Sequence, residues 1–353
     1  MIPALGASLQ RPDSDLQSRL LRLVEQCDGR RIVVVGDIIA DEYMYGQLSR
    51  LSREAPVPIL RYDGTLVVPG GAANAASNVA TLGGQVDLVG LVGKGGVDRK
   101  VTRALPSGVN TASLVRPDGY HVPVKTRILA GGQYSTRQQI VRVDRESPSV
   151  NSIVSREFAR TASAALGKAD AVIISDYGSG LITPELVKKL KTQLSKRRRR
   201  RQVPIVVDSR YNLTRFRDCT ACTPNQSEVE ASLGISIADN DRSLETAGRS
   251  LLKRTRAGGV VITRGSRGMA VFVPGRRTNH ISIHGSDEVA DVTGAGDTVI
   301  ATLTLALSAG ASLYEAACLS NYAGGLVVLK RGTATVSRDE LVAAIHGDRD
   351  REG

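Results

Sequence analysis

A short β-branched run that closes on glycine or aspartate recurs along this chain, and the recurrence constrains its fold more than any other feature. Arg31-Ile-Val-Val-Val-Gly-Asp opens the series. Val86-Asp-Leu-Val-Gly-Leu-Val-Gly, Ala171-Val-Ile-Ile-Ser-Asp, Pro204-Ile-Val-Val-Asp and Gly259-Val-Val-Ile-Thr-Arg-Gly continue it. Continuous apolar runs of this length suit strands buried on both faces. Between them the apolar spacing becomes helical, over 72–82, 154–166, 184–194, 226–233, 244–256, 296–309 and 313–329. Strands alternating with helices predict βαβ units and an α/β fold of three layers, αβα, around a mainly parallel sheet.

Two stretches, 43–68 and 119–144, break this rhythm. They read as short alternating strands rich in turns, as in Ile59-Leu-Arg-Tyr and Val124-Lys-Thr-Arg-Ile-Leu, and predict a small antiparallel β-sheet lid projecting from the body. Residues 1–29 read as a tail and a short helix, with Leu16, Leu20, Leu23 and Val24 on one face and Asp13 or Ser14 as its cap. The main domain is expected over 30–345 and a C-terminal tail over 346–353.

Composition excludes several classes. At 353 residues, 41% hydrophobic and 23% charged, the chain can bury a full core. Four cysteines are too few for a disulfide scaffold. The longest mostly apolar stretch, 299–310, is interrupted by Thr302, Thr304 and Ser308 and falls short of the roughly 20 residues of a membrane span. The N-terminus carries Arg11, Asp13, Asp15 and Arg19 and lacks the apolar region of a secretory signal, so a cytoplasmic protein with reduced thiols is expected. The net charge is +12, and six positive charges fall in 196–201. That run is either a nucleic-acid patch or a solvated helix end. No aromatic residues interleave with it to stack on bases, which favours the second reading. Neither nucleic acid nor membrane is expected as a partner, and the remaining positive excess suits phosphorylated substrates.

Some motifs mislead. Cys219-Thr-Ala-Cys222 and His280-Ile-Ser-Ile-His284 have zinc-like spacings, but residues 223–279 separate the pairs, and the histidines sit in an alternating strand pattern. The glycines at 90–96 lack the lysine of a P-loop, and no G-x-G-x-x-G follows the first strand.

Two motifs carry chemistry. In Ala290-Asp-Val-Thr-Gly-Ala-Gly-Asp-Thr-Val-Ile-Ala, the small residues Gly294, Ala295 and Gly296 directly precede an apolar helix. Their amides and the helix dipole can hold an anion. Asp297 then falls in the first turn, where an acid beside an anion is costly unless it accepts a proton from an attacking hydroxyl. The other reading is that it complements the helix dipole. In Pro69-Gly-Gly-Ala-Ala-Asn-Ala-Ala-Ser-Asn, Gly70 and Gly71 allow close backbone approach to a ligand, and Asn74 and Asn78 share a helix face from which amides can meet sugar hydroxyls. The other reading is a close helix–sheet contact with two capping asparagines.

In this order and about 220 residues apart, the two motifs resemble the signatures of the PfkB/ribokinase family of carbohydrate kinases, over roughly 30–345. Residues 291–304 match the C-terminal signature except at Thr302, where alanine or glycine is usual and where the change is expected to touch helix packing only. Gly36-Asp-Ile-Ile-Ala-Asp, Thr223-Pro-Asn-Gln-Ser-Glu and Thr263-Arg-Gly also look like family elements. Within the family the chain is similar to the kinase domain of bacterial heptose 7-phosphate kinase / ADP-heptose synthase enzymes. Ser49-Arg-Leu-Ser-Arg-Glu-Ala-Pro-Val-Pro, Ser175-Asp-Tyr and Gly332-Thr-Ala-Thr-Val-Ser carry that likeness. Ser179 and Arg210 stand where that group usually has lysines. Residues 1–353 contain no H-x-G-H nucleotidyltransferase motif, so adenylylation is expected from a separate protein.

The resemblance implies a ribokinase-like fold and an ATP- and Mg²⁺-dependent sugar kinase, with K⁺ as a candidate monovalent cofactor. It implies phosphorylation of the anomeric hydroxyl of D-glycero-D-manno-heptose 7-phosphate. The alternatives are a kinase of another sugar or a non-catalytic binding protein on the same fold. It makes Asp297 the base and Gly294, Ala295 and Gly296 the anion hole. Asp41, Gly70, Gly71 and Asn74 would hold the sugar. Asn225, Thr263, Gly265, Gly268 and Asn321 would line the nucleotide. Asn225 and Glu228 would organise Mg²⁺ through water, and Asp291 and Thr293 would offer oxygens to a monovalent cation. Lys125, Arg127 and Arg142 are candidates for a distal phosphate or, equally, solvated strand charges. A homodimer through the lid is expected, because an exposed sheet needs covering.

Overall fold

The computed structural model describes residues 14–131, 137–196, 202–238, 240–285 and 291–349. The cap position Asp13 and the arginines at 197–201 lie outside the described residues. Helix α1 (Ser14–Gln26) leads into β1 (Arg31–Gly36), followed by two long strands, β2 (Ile38–Leu51) and β3 (Pro58–Gly71). Next come α2 (Ala72–Thr81), β4 (Gln85–Leu91), α3 (Gly96–Arg103), the two-residue strands β5 (Val109–Asn110) and β6 (Leu114–Val115), then β7 (Val124–Gly131) and β8 (Gln138–Arg145). The chain continues through α4 (Ser152–Ala165), β9 (Ala171–Asp176), α5 (Pro184–Ser195), β10 (Ile205–Ser209), β11 (Ala221–Cys222), α6 (Gln226–Leu233) and α7 (Asp241–Thr255). It closes with β12 (Val260–Thr263), β13 (Met269–Phe272), β14 (Asn279–Ile281), α8 (Ala295–Ser308), α9 (Leu313–Val327) and α10 (Arg338–Arg349).

The main sheet has the order β14-β13-β12-β11-β10-β9-β1-β4-β5, with β6 also on β4. From β12 to β5 the pairs are parallel; β13 and β14 add an antiparallel edge. Strand alternation splits the core into two layers. Ile32 and Val34 join Leu88, Ile173 and Val206 beneath α2, α8 and α9. Val33 and Val35 join Val172, Ile174 and Val207 against α4 and α5. This is why the β-branched runs lack polar alternation: both faces are covered. The hydroxyl of Thr302 donates to the Thr298 carbonyl one turn back (2.8 Å), so the threonine is accommodated inside α8 without an unpaired polar atom.

The second sheet has the order β3-β2-β7-β8. It differs from the antiparallel expectation, because β2 and β7 pair in parallel. Strand β7 is reached by a crossover through α2, β4 and α3, so it runs beside β2 in the same direction. The sheet also starts earlier and ends later than 43–68: β2 leaves the body at Ile38 and β3 returns to it at Gly71. Helix α10 runs through Arg349, where the sequence suggests a tail from 346. The C-x-x-C pair forms no disulfide; all four cysteines are free and buried, and burial pushes the Cys219 thiol up to about 11.

Candidate active site

Gly294 caps α8 with φ +79°, and a Cβ there would stand 2.5 Å from Asn74 Nδ2. Only glycine permits both this left-handed turn and this approach. The turn delivers Asp297 into the first turn of α8, where it is 3% exposed. One carboxylate oxygen accepts from Asn74 Nδ2 and the other from the Tyr177 hydroxyl, each at 2.9 Å. Burial pushes the carboxyl up to about 7, against these two hydrogen bonds that pull it down. A group poised there can exchange a proton near neutral pH. The Ala295 N–H is already engaged by the Val292 carbonyl (3.2 Å), so an anion at this turn would meet Gly294 and Gly296 more freely than Ala295.

Asn74 and Asn78 do not act as a pair toward solvent. Asn78 is fully buried: its amide donates to the Asn74 carbonyl and side-chain oxygen, and its own oxygen accepts from Thr298 and the Val336 N–H. It fixes Asn74, which in turn fixes Asp297. Gly71 has φ +58°, and a Cβ on Gly70 would lie 2.3 Å from Asp41 Oδ2. Their smallness lets the end of β3 lie against the Asp37 carbonyl, just before β2, and against the Asp41 side chain. Asp41 is buried and bonded to Arg127 (2.6 Å) and to the Thr333 hydroxyl (3.1 Å). Arg127 is buried as well. It is therefore neither a solvated strand charge nor a free phosphate ligand, but half of an internal ion pair. Arg142 is exposed and forks onto its neighbour Asp144.

A cavity of about 520 Å³ opens beside α8 and is lined by Asn225, Glu228, Thr263, Gly265, Gly268 and Asn321. Asn225 and Glu228 form a capping box on α6, each side chain accepting from the other's amide at 2.9 Å. The N-x-x-E spacing thus has a structural cause as well as a ligand-facing position. Gly268 lies at φ +73°, where a Cβ would strike the Ile281 carbonyl. Asn321 Nδ2 donates to the Ser282 carbonyl (2.7 Å), tying α9 to the cavity rim.

The cavity suits a nucleotide with a divalent cation. The Thr223 hydroxyl lines it, buried and without a partner. Asp176, Asp208 and Glu228 face the same space, and burial plus the negative charges of Glu228 and Asp297 raise the Asp208 carboxyl well above its ordinary range. Such a crowd of acids is relieved by a cation. Among the described residues no three His, Cys, Asp or Glu side chains lie close enough together to hold a metal ion by themselves. Asp291 accepts from the Thr293 and Gly332 amides (2.9 and 3.0 Å), binding two loops together.

A second cavity, about 360 Å³, is lined by Lys125, Arg142, Asp37 and Ser179. Ser179 donates to Asp37 (2.5 Å), which also accepts from the Tyr177 amide, so this loop is pinned to β1's end. Tyr177 and Arg210 line both cavities. Neither residue receives a role from sequence reasoning. Ser175-Asp-Tyr lies at a strand end, where α/β sheets bind ligands, and that position was the available signal.

Residues 30–340 match the profile of the pfkB family carbohydrate kinases. The chain belongs to this family. Relatives named "Bifunctional protein HldE" are 37% identical in Gluconobacter oxydans, over 88% of this chain and 63% of that protein, and 39% identical in Coxiella burnetii, over 90% and 64%. The chain therefore spans less than two thirds of the length of these relatives. Arabidopsis thaliana ribokinase, solved with ribose and ATP, superposes with a TM-score of 0.69 at 20% identity, covering 90% of this chain and 99% of that one. Escherichia coli phosphofructokinase-2, solved with potassium, gives 0.71 at 19% with the same coverage. At these identities the two structures speak for the fold, which is ribokinase-like.

Proposed function

We propose that this kinase transfers the γ-phosphoryl group of ATP to the anomeric hydroxyl of D-glycero-D-manno-heptose 7-phosphate. The observation that carries the reading is the placement of Asp297. It is buried at a helix N-terminus and bonded to Tyr177, which borders both a nucleotide-sized cavity and a cation-lined one. Asp297 accepts the proton of the attacking hydroxyl, and the first turn of α8 faces the transferring group. Asp41, Gly70, Gly71 and Asn74 shape the sugar side, with Arg127 acting through Asp41. Lys125 and Arg142 meet the distal phosphate. Asn225, Thr263, Gly265, Gly268 and Asn321 border the nucleotide. Asn225 and Glu228 would hold Mg²⁺ through water, and Asp291 and Thr293 a monovalent cation such as K⁺. When bound, Mg²⁺ offsets the triphosphate charge and polarises the transferring group.

The heptose assignment is supported by the subgroup motifs around Ser49, Ser175 and Gly332 and by the relatives that carry the HldE name. Ser179 and Arg210 favour a second reading, another sugar phosphate. An ADP-release screen over sugars and sugar phosphates decides: heptose 7-phosphate is expected to give the highest kcat/KM, and a better ribose, fructose phosphate or nucleoside acceptor overturns the assignment. A cytoplasmic setting is supported by the free cysteines. A homodimer through the lid is supported by exposed Leu48, Leu51, Tyr62, Ile140 and Val143, and light scattering tests it. Adenylylation of the product is assigned to residues outside this 353-residue sequence.

A further inference from the structure

We propose that the Arg210 guanidinium binds the phosphoryl group while it passes from the nucleotide cavity to the sugar cavity. The inference rests on the chain being a sugar kinase, not on which sugar it takes. Four carboxylates face the larger cavity, from Asp176, Asp208, Glu228 and Asp297, and among the described residues lining it Arg210 is the one cation. A triphosphate is a polyanion, so that wall repels its own ligand unless positive charge is supplied. A cation held on the Asn225–Glu228 side supplies it to the nucleotide. The side that faces the sugar has Arg210. Lys125, Arg142 and Arg145 line the smaller cavity alone, whereas Arg210 borders both.

The backbone at Arg210 is anchored, and its side chain is exposed. Arg210 directly follows β10, its amide donates to the Asp176 carbonyl (3.0 Å), and its guanidinium lies 5.8 Å from the Tyr211 ring centre. Its positive charge acts on both Asp208 and Glu228, pulling their carboxyls down against the burial that raises them. In the transfer, the acceptor oxygen bonds to the γ-phosphorus while the bond to the β–γ bridging oxygen breaks. The hydroxyl proton passes to Asp297 and ADP leaves. Negative charge spreads over the three equatorial oxygens in flight, and a planar guanidinium can bind two of them at once.

The test compares Arg210→Ala and Arg210→Lys with the native chain. By calorimetry, ADP with Mg²⁺ and aluminium fluoride, a mimic of the phosphoryl group in flight, is expected to bind Arg210→Ala at least about tenfold more weakly, while ADP with Mg²⁺ alone binds as before. With whichever acceptor the native chain phosphorylates, kcat of Arg210→Ala is expected to fall about 10²–10³-fold. Free guanidinium ions should restore part of it, and Arg210→Lys should fall between. Equal aluminium fluoride affinity in the native chain and Arg210→Ala overturns the proposal. So does a loss confined to the KM for sugar, which would make Arg210 a substrate ligand only. If the native chain phosphorylates no sugar, the kinase reading fails instead, and the aluminium fluoride contrast still reads Arg210.

Discussion

Replacing Asp297 by asparagine should make this protein more stable and nearly inactive. The structure supplies both halves of that expectation. Asparagine keeps the shape and both partners: its oxygen can accept from Asn74 Nδ2, and its amide can donate to the Tyr177 oxygen, at positions where the carboxylate now has 2.9 Å contacts. It cannot take a proton from an acceptor hydroxyl, so kcat should fall about 10²–10⁴-fold. Stability moves the other way. Burial lifts this carboxyl from an ordinary 3.8 to about 7, which at about 1.4 kcal/mol per pH unit costs the folded state about 4 kcal/mol once the group is ionised. The folded chain holds the proton more tightly than the unfolded one, so this cost is absent below pH 3.8, grows as pH rises through the interval, and is complete above about 7. Asp297→Asn removes it. Urea unfolding at pH 8 should show the variant more stable by up to about 4 kcal/mol, and at pH 5 by less than half of that. ADP binding should change little, since losing one negative charge beside the phosphates relieves repulsion. A variant that gains no stability between pH 5 and 8 relative to the native chain would refute the electrostatic argument. Near-normal turnover would refute the catalytic one.

Three further outcomes follow from the geometry. Tyr177→Phe removes one of the two donors to Asp297, so its carboxyl should rise further and the acid limb of the kcat–pH profile should move up by about one pH unit. Arg127→Ala leaves the buried Asp41 without its cation and should cost about 3–5 kcal/mol in chemical denaturation, whereas Arg142→Ala, on an exposed pair, should cost about 1 kcal/mol or less. Gly70→Ala puts a methyl group 2.3 Å from Asp41 Oδ2; displacing that carboxylate should raise the KM for sugar about tenfold or more and leave the KM for ATP unchanged in steady-state assays.

The buried strands were legible because a β-branched run without polar alternation has few other fates, and the Gly294–Asp297 turn because small residues directly before an apolar helical run mark a tight helix start. Other parts carry no local signal. Helix α3 opens on glycine and buries only Asp98 and Val101, so no apolar stripe announces it. Strands β5 and β6 have two residues each and owe their pairing to β4. The ion pair of Asp41 with Arg127 joins positions 86 residues apart, and the parallel pairing that creates it is a property of the whole topology. Tyr177 reaches Asp297 across 120 residues, with no spacing rule to reveal it. Asn78 shows the limit of reading a helix face: the periodicity places it beside Asn74, but which side of α2 meets α8 is decided by packing.

The pairing of β2 with β3 carries an evolutionary consequence. From Ile38 to Tyr45 the two strands run in strict register with Gly71 to Gly64, and this inner half holds Asp41 and Gly70. At Tyr45/Gly46 the register slips, and it slips again at Leu48/Arg50. Bulges of this kind absorb a local twist and end the constraint that one residue's position imposes on the next pair. The outer half, with its exposed leucines, can therefore drift in sequence and length without retuning the inner half that holds Asp41 and Gly70. Lineages can diversify what the tip touches while inheriting an unchanged floor beneath it.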